Sequence, residues 1–155
     1  MSKSRRRVER ALEAAGMETE IVALGEARTA EQAAAVAGCA LDQIAKSMIL
    51  RGRESGAVVL FLTAGGNRVD ATKAGALAGE ALDRADAAEV RAQTGFAIGG
   101  VAPLGHTQPI RAFIDPRLLE FPEVWAAAGT PHHIFRVDPA ELVRVTGAQI
   151  GDFTP

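Results

Sequence analysis

The chain contains a single cysteine, Cys39, among its 155 residues. No internal disulfide can form, and no CxxC pair or Cys/His cluster marks a zinc site. No apolar run reaches the length of a membrane-spanning helix. The opening stretch, MSKSRRRVERALEAAG, is charged and helical in pattern, so it is not read as a signal peptide. Charge of one sign is scarce in excess: 17 Lys/Arg face 19 Asp/Glu, a net charge of −2. Residues 1–75 hold 11 basic and 9 acidic residues, and residues 76–155 hold 6 and 10. A protein that coats a nucleic-acid backbone usually carries a strong basic excess. This chain is expected to grip one or two phosphates, not a long duplex. The expectation is a soluble, cytoplasmic protein with no membrane partner.

Aliphatic residues dominate instead. Hydrophobic types make up 48% of the chain, which excludes a disordered polymer. A chain of this length buries roughly two-thirds of its unfolded surface and fits one domain, read here as 1–155. Hydrophobic spacing predicts a helix from Ser4 to Ala15, with Val8, Ala11 and Leu12 on one face and Gly16 as its stop. EIVALG reads as a short strand. TAEQAAAVAG reads as a helix opened by a Thr29/Gln32 capping box and closed by Gly38. LDQIAKSMILRG becomes strand-like near Lys46 and GAVVLFLTAGG is a buried strand, joined by a GRESG hairpin connection. VDATKAGALAG reads as a helix capped by Asp70, LDRA as a short strand, and AAEVRAQTG as a helix capped by Asp86 and Glu89 and ended by Gly95. FAIGG is strand-like, IRAFID an alternating strand, PRLLEF a helical turn, and EVWAAAG and HIFRV strands. DPAELVRVTG is the last helix, with Asp138 as cap and Pro139 at its first position. Adjacent strand pairs mixed with helix crossovers predict an α/β fold: a mixed, barrel-like β-sheet surrounded by helices.

Two features invite a functional reading. The stretch TGFAIGGVAPLGH spends glycines and a proline within a few residues. Gly99, Gly100 and Gly105 permit positive φ and close approach of a ligand, while Pro103 fixes φ and removes a donor. Such a loop can cradle an anion or a carbonyl oxygen; it can equally be a tight connection. Lys46 stands among apolar residues in QIAKSMIL, on the strand face shared with Met48 and Leu50. It reads as an anchor for phosphate or carboxylate, or as an edge lysine that snorkels to solvent.

Other candidates are weaker. TAGGNRVDATK lacks the GxxxxGK[ST] spacing of a P-loop. His132 and His133 are adjacent and, in a strand, face opposite ways, so a shared metal is not expected. Cys39 reads as a structural thiol, the RRR at 5–7 as a solvated helix face, and Asp70 and Asp86 as caps.

Taken in order, QIAKSMIL, VVLFLTAGGNRVD, TGFAIGGVAPLGH, VWAAAGTPHHIF and AELVRVTGA resemble the YbaK family of prolyl-tRNA-synthetase-associated editing domains. The resemblance spans about Val22 to Phe153. It implies a compact α/β domain with a mixed, barrel-like sheet, and hydrolysis of wrongly charged aminoacyl-tRNA. With no room for a synthetase catalytic domain, the chain looks like the free-standing, trans-acting kind. Lys46 matches the family lysine placed near the terminal adenosine and its phosphate. Gly99, Gly100, Val101, Ala102 and Pro103 match the loop that lines the aminoacyl pocket, and Ala102 stands where relatives often have serine. Catalytic roles are expected for Lys46, Gly99 and Gly100. Substrate contacts are expected from Met48, Val101, Ala102, Pro103, Gly105 and His132, with the choice between His132 and His133 open.

No Ser/His/Asp triad is evident, so direct attack by water or by a neighbouring substrate group is expected, with no metal and no cofactor. The expected partner is the 3′ acceptor end of aminoacyl-tRNA, with a synthetase as a further candidate. Two other readings stand beside this one: a non-catalytic module that binds such ends or docks on a synthetase, and a small hydrolase that uses Cys39.

Overall fold

A computed structural model describes residues 2–155. Helix α1 (Lys3–Ala14) opens on Ser2, whose hydroxyl accepts from the Arg5 N–H, and buries Val8 and Leu12. Strand β1 is Ile21–Ala23. Helix α2 (Ala30–Ala37) carries both bonds of the Thr29/Gln32 capping box and ends on Gly38. A 3₁₀ turn at Leu41–Gln43 leads into β2 (Ile44–Gly52), which folds back as β3 (Val58–Ala64). Then follow α3 (Ala71–Ala78) on its Asp70 cap, β4 (Leu82–Arg84) and α4 (Ala87–Thr94) on its Asp86/Glu89 box. Strand β5 (Arg111–Ile114), a 3₁₀ turn (Pro116–Glu120), β6 (Val124–Ala127), β7 (His133–Val137), α5 (Pro139–Thr146) and β8 (Gln149–Ile150) complete the chain.

The eight strands form one mixed sheet in the order β1-β7-β6-β2-β3-β5-β8, with β4 also paired to β2. The mixed sheet and its surrounding helices are as expected, and the hydrogen-bonded path begins at β1 and ends at β8.

Three local readings differ. FAIGG is not a strand; it forms a bend and a turn in which the Gly100 N–H donates to the Ala97 carbonyl at 3.0 Å. Gly95 (φ +83°) and Gly99 (φ +89°) reverse the chain twice within five residues, which leaves no straight segment for a ladder. In β5 the side chains of Ala112, Phe113 and Ile114 are all buried, so the expected alternation is absent. This strand pairs in parallel with β3 on one side and β8 on the other, and apolar clusters cover both its faces. Strand β8 is two exposed residues, too short to carry a periodicity in the sequence.

Strand β2 organises the molecule. One of its edges pairs with β3 from Ala45 to Arg51. The opposite edge is divided: β6 takes Ile44 and Ala45, and β4 takes Leu50 to Gly52. Residues 46–49 lie in the gap between them. The faces divide as well. Val58, Leu60, Leu62 and Ala64 turn into the main core with Val8, Leu12, Phe135 and Leu142. On the other face Ile44 joins a cluster under α2 with Ala33, Ala34 and Ile134. Leu50 joins a second cluster under α3, where Phe61 stacks on Phe113 at 5.4 Å and meets Phe153 edge-on at 5.0 Å. Lys46 and Met48 fall between these two helix-covered patches, and neither belongs to a buried cluster.

Candidate functional site

At this gap lies a cavity of about 250 Å³. Its walls include Lys46, Ser47, Met48, Gly99, Trp125 and His133, with Arg28 and Thr29 from the start of α2. Larger grooves of about 350 and 740 Å³ lie beside β1 and β7. Glu13, Glu18, Glu20, Glu123 and Glu141 line them against a single arginine, Arg136, a charge balance that repels phosphate. The smaller cavity is the one with basic walls.

Lys46 is half-buried, and its Nζ donates to the main-chain carbonyl of Asn67 at 2.7 Å. Burial pulls its pKa below the usual lysine value; Glu31 opposes this, Arg68 adds to it, and Asp42 and Asp115 oppose it further. Met48 is 40% exposed beside it.

Ser47 faces the gap in a different way. The Gly52 N–H donates to Ala57 across the hairpin, and the Arg53 N–H donates to Ala81 on the opposite side. Main-chain groups alternate along a strand, so Ser47 turns its N–H and C=O away from β3 and into the gap. Its buried hydroxyl has no hydrogen-bond partner among the described residues.

The glycine loop reaches the cavity at one point, Gly99. Gly100 is buried beneath it, pressed on the Thr130–Pro131 main chain, and its N–H is already given to Ala97. The side chains of Val101 and Ala102 sit in the main core, not on the cavity wall. Pro103 is buried with them, and Gly105 packs on α1, where its Cβ would lie 3.4 Å from Ala11. Most of this loop's special residues therefore serve close packing. Arg7 from α1 donates to the Gly95 carbonyl at 2.9 Å and covers the Phe96 ring at 5.4 Å. His106 bonds the Ala102 carbonyl through Nε2 at 2.7 Å.

Of the two adjacent histidines, His133 is on the cavity wall and His132 is outside it. His133 Nδ1 pairs with the Thr130 hydroxyl at 2.6 Å. Burial lowers its pKa from the ordinary imidazole value, and the charges of Arg5 and His132 lower it further. The exposed His132 ring lies 3.3 Å from the Arg28 guanidinium. A guanidinium only donates, so His132 Nδ1 is the acceptor and the proton of the neutral ring is on Nε2.

Cys39 does not line the cavity. Burial, and then the nearby Glu123 charge, raise its thiol pKa, which disfavours the nucleophilic thiolate. Among the described residues, no group of three or more His, Cys, Asp or Glu side chains could hold a metal. No helix among them is long and apolar enough to cross a membrane.

Sequence reasoning missed Arg28, Trp125 and Asn67. The first two reach the cavity only through the β6-β2 pairing and the docking of α2. Asn67 had a faint signal, as the polar residue that ends TAGGN.

Residues 25–145 match the aminoacyl-tRNA editing domain. The chain belongs to this family. Among relatives of the editing domain, YwhH of Bacillus subtilis (strain 168), an uncharacterized protein, is 36% identical over 114 residues, 74% of this chain and 72% of the relative. A crystal structure of a proposed trans-editing enzyme for prolyl-tRNA synthetase is 48% identical, with a TM-score of 0.94 over 100% of this chain and 99% of that one. The structure of hypothetical protein APE2540 is 29% identical, with a TM-score of 0.86 over 96% of this chain and 99% of that one. The α/β architecture is thus the YbaK-type editing fold.

Proposed function

We propose that this protein is a free-standing deacylase that hydrolyses the ester of mischarged aminoacyl-tRNA in the cytoplasm. The observation that carries the reading is the meeting of Lys46, the outward main chain of Ser47, and Gly99 at one small cavity with basic walls. Residues 1–155 act as one unit in this reading, since α1 contributes Val8 and Leu12 to the main core.

The substrate ester joins an amino acid to a ribose hydroxyl. Lys46 holds a phosphate of the 3′ end, and Arg28 offers a second cation at the mouth. In this reading the Ser47 N–H in the gap and the Gly99 N–H of the glycine loop are the main-chain donors for the carbonyl oxygen as it gains charge. Water adds to the carbonyl carbon, the bond to the ribose oxygen breaks, and that oxygen takes up a proton. His133 is the base-capable group on the wall: with Nδ1–H donated to Thr130, its Nε2 lone pair is available to the water. Orientation of the ester against fixed donors supplies several kcal/mol of the barrier reduction.

A cavity of about 250 Å³ must hold the aminoacyl group and its ribose. Met48 and Trp125 therefore act as a size filter that admits small side chains, the second sieve of a double-sieve scheme. The 48% identity to a proposed trans-editing enzyme for prolyl-tRNA synthetase favours prolyl-tRNA as the carrier and that synthetase as the partner.

The test is a panel of mischarged tRNAs with the wild-type protein and Lys46→Ala. Turnover of one or more esters that falls at least about a hundredfold in the variant supports the proposal. Binding without hydrolysis across the whole panel favours the non-catalytic module instead.

A further inference from the structure

The carbonyl that receives Lys46 is held with unusual care. It belongs to Asn67, in the turn after β3, whose own N–H donates to the Ala64 carbonyl at 2.8 Å. The Asn67 side chain donates through Nδ2 to Asp115 Oδ2 at 2.9 Å. Asp115 is 2% exposed, and polar oxygens so buried call for hydrogen-bond partners. The Ala64 N–H gives it a further bond at 3.1 Å and the Arg117 N–H another at 2.9 Å. The same turn is pinned from the other side. Asp42 accepts from the Gly66 N–H at 2.8 Å and pairs with Arg117 at 3.0 Å. A Cβ at Gly65 would lie 2.2 Å from the Leu41 carbonyl oxygen, so only glycine fits at that step of the turn.

We infer that Asn67 is a positioning residue for Lys46: buried Asp115 fixes the Asn67 amide, and the Asn67 carbonyl holds the ammonium at the cavity wall. The choice of a neutral acceptor has a physical consequence. A carboxylate in contact with Nζ would neutralise the ammonium and compete with an incoming phosphate. A carbonyl orients the same group and leaves its net charge for the substrate. The nearby carboxylates are kept off it: Asp42 is tied to Arg117 and Gly66, Asp115 to main-chain donors and Asn67. Glu31 on α2 and Arg68 in the turn are the other charges that bear on Lys46. The functional part of this inference rests on the reading that Lys46 contacts the substrate.

The experiment uses the full chain with lysine labelled at Cε, where Lys3, Lys46 and Lys73 are the lysines to resolve. Wild type, Asn67→Ala and Asp115→Asn are compared by the order parameter of each labelled group and by deacylation kinetics, with thermal unfolding as a check of the fold. Asn67→Ala keeps the carbonyl and removes its tether. The expected result is a Lys46 order parameter that falls towards that of Lys3, and a kcat/KM lowered about tenfold through kcat, with the melting transition retained. Asp115→Asn gives the same two changes if Asn67→Ala does not fold. Lys46 remaining as ordered as in wild type in whichever variant folds overturns the inference. The labelled-lysine measurement decides this even if no tRNA in the panel is hydrolysed, which would sink the deacylase reading alone.

Discussion

Gly100 and Thr130 are pressed so closely together that a Cβ at position 100 would sit 2.6 Å from the Thr130 carbonyl carbon. This contact ties the glycine loop to the turn that presents His133, and so sets one side of the cavity against the other. Gly100→Ala is expected to destabilise the fold by about 1–3 kcal/mol through overpacking. Gly99→Ala meets open space but must adopt φ +89°, at a cost of about 1–2 kcal/mol. Thermal unfolding checks both, at about 2–4 °C per kcal/mol for a chain of this size. An unchanged melting temperature in Gly100→Ala would contradict the contact.

Lys46→Ala and Lys46→Arg separate charge from geometry. The alanine variant should lose deacylation while its melting temperature stays within a few degrees, because only one hydrogen bond, to Asn67, is removed. The arginine variant keeps the cation but not the compact ammonium that fits the Asn67 carbonyl. It should recover tRNA binding with little turnover. Full turnover in either variant removes Lys46 from the mechanism.

His133 predicts the acid limb of the activity profile. Burial lowers its pKa below 6.5, so the ring stays neutral to more acid pH than a free histidine. Deacylation should therefore hold as pH drops to 6.5 and fail only below it. His133→Gln should be slow and lack that limb. A wild-type limb centred above 6.5 would be inconsistent with this environment.

Stability should show a related slope from His106. Burial lowers its pKa in the folded chain, with the Ala102 bond opposing. The unfolded chain then takes up the proton first as pH falls through 6.5, so stability is full above that value and declines below it until the folded ring titrates. His106→Gln should flatten this part of the curve. Asp42 acts in a lower window: held below 3.8 chiefly by its hydrogen bond from Arg117, it withdraws its contribution only as pH falls under that value. Unfolding temperatures from pH 7.5 to 3 separate the two.

Ser47→Ala tests the orphaned hydroxyl. A buried hydroxyl without a partner costs about 1–3 kcal/mol, so its removal should leave the melting temperature unchanged or raise it. A marked drop in stability would mean that the hydroxyl is bonded in the folded protein.

Local chemistry was legible in the residues themselves. Thr29 and Gln32, Asp70, Asp86 and Glu89, and Asp138 with Pro139 mark helix starts by short-range bonds that need no tertiary partner, and each cap is formed. The run VVLFLTA marks a strand buried on both faces. Lys46 announced itself because a cation among apolar neighbours demands a reason. The glycine loop was harder to read. Glycine, proline and buried aliphatics give the same pattern whether a loop cradles a ligand or packs against Thr130 and α1, and only the packed chain shows that Gly99 alone reaches the cavity. Which of His132 and His133 faces inward depends on where β7 begins, and Asn67 and Asp115, far apart in the chain, meet only when β3 lies beside β5. The sequence by itself determined the five helices, their caps, the β2-β3 hairpin and the lysine, because those follow from spacing and local hydrogen bonds, whereas the FAIGG bend and β8 depend on packing. The tertiary structure decided the site, because the divided edge of β2 exists only once β4 and β6 have both paired with it.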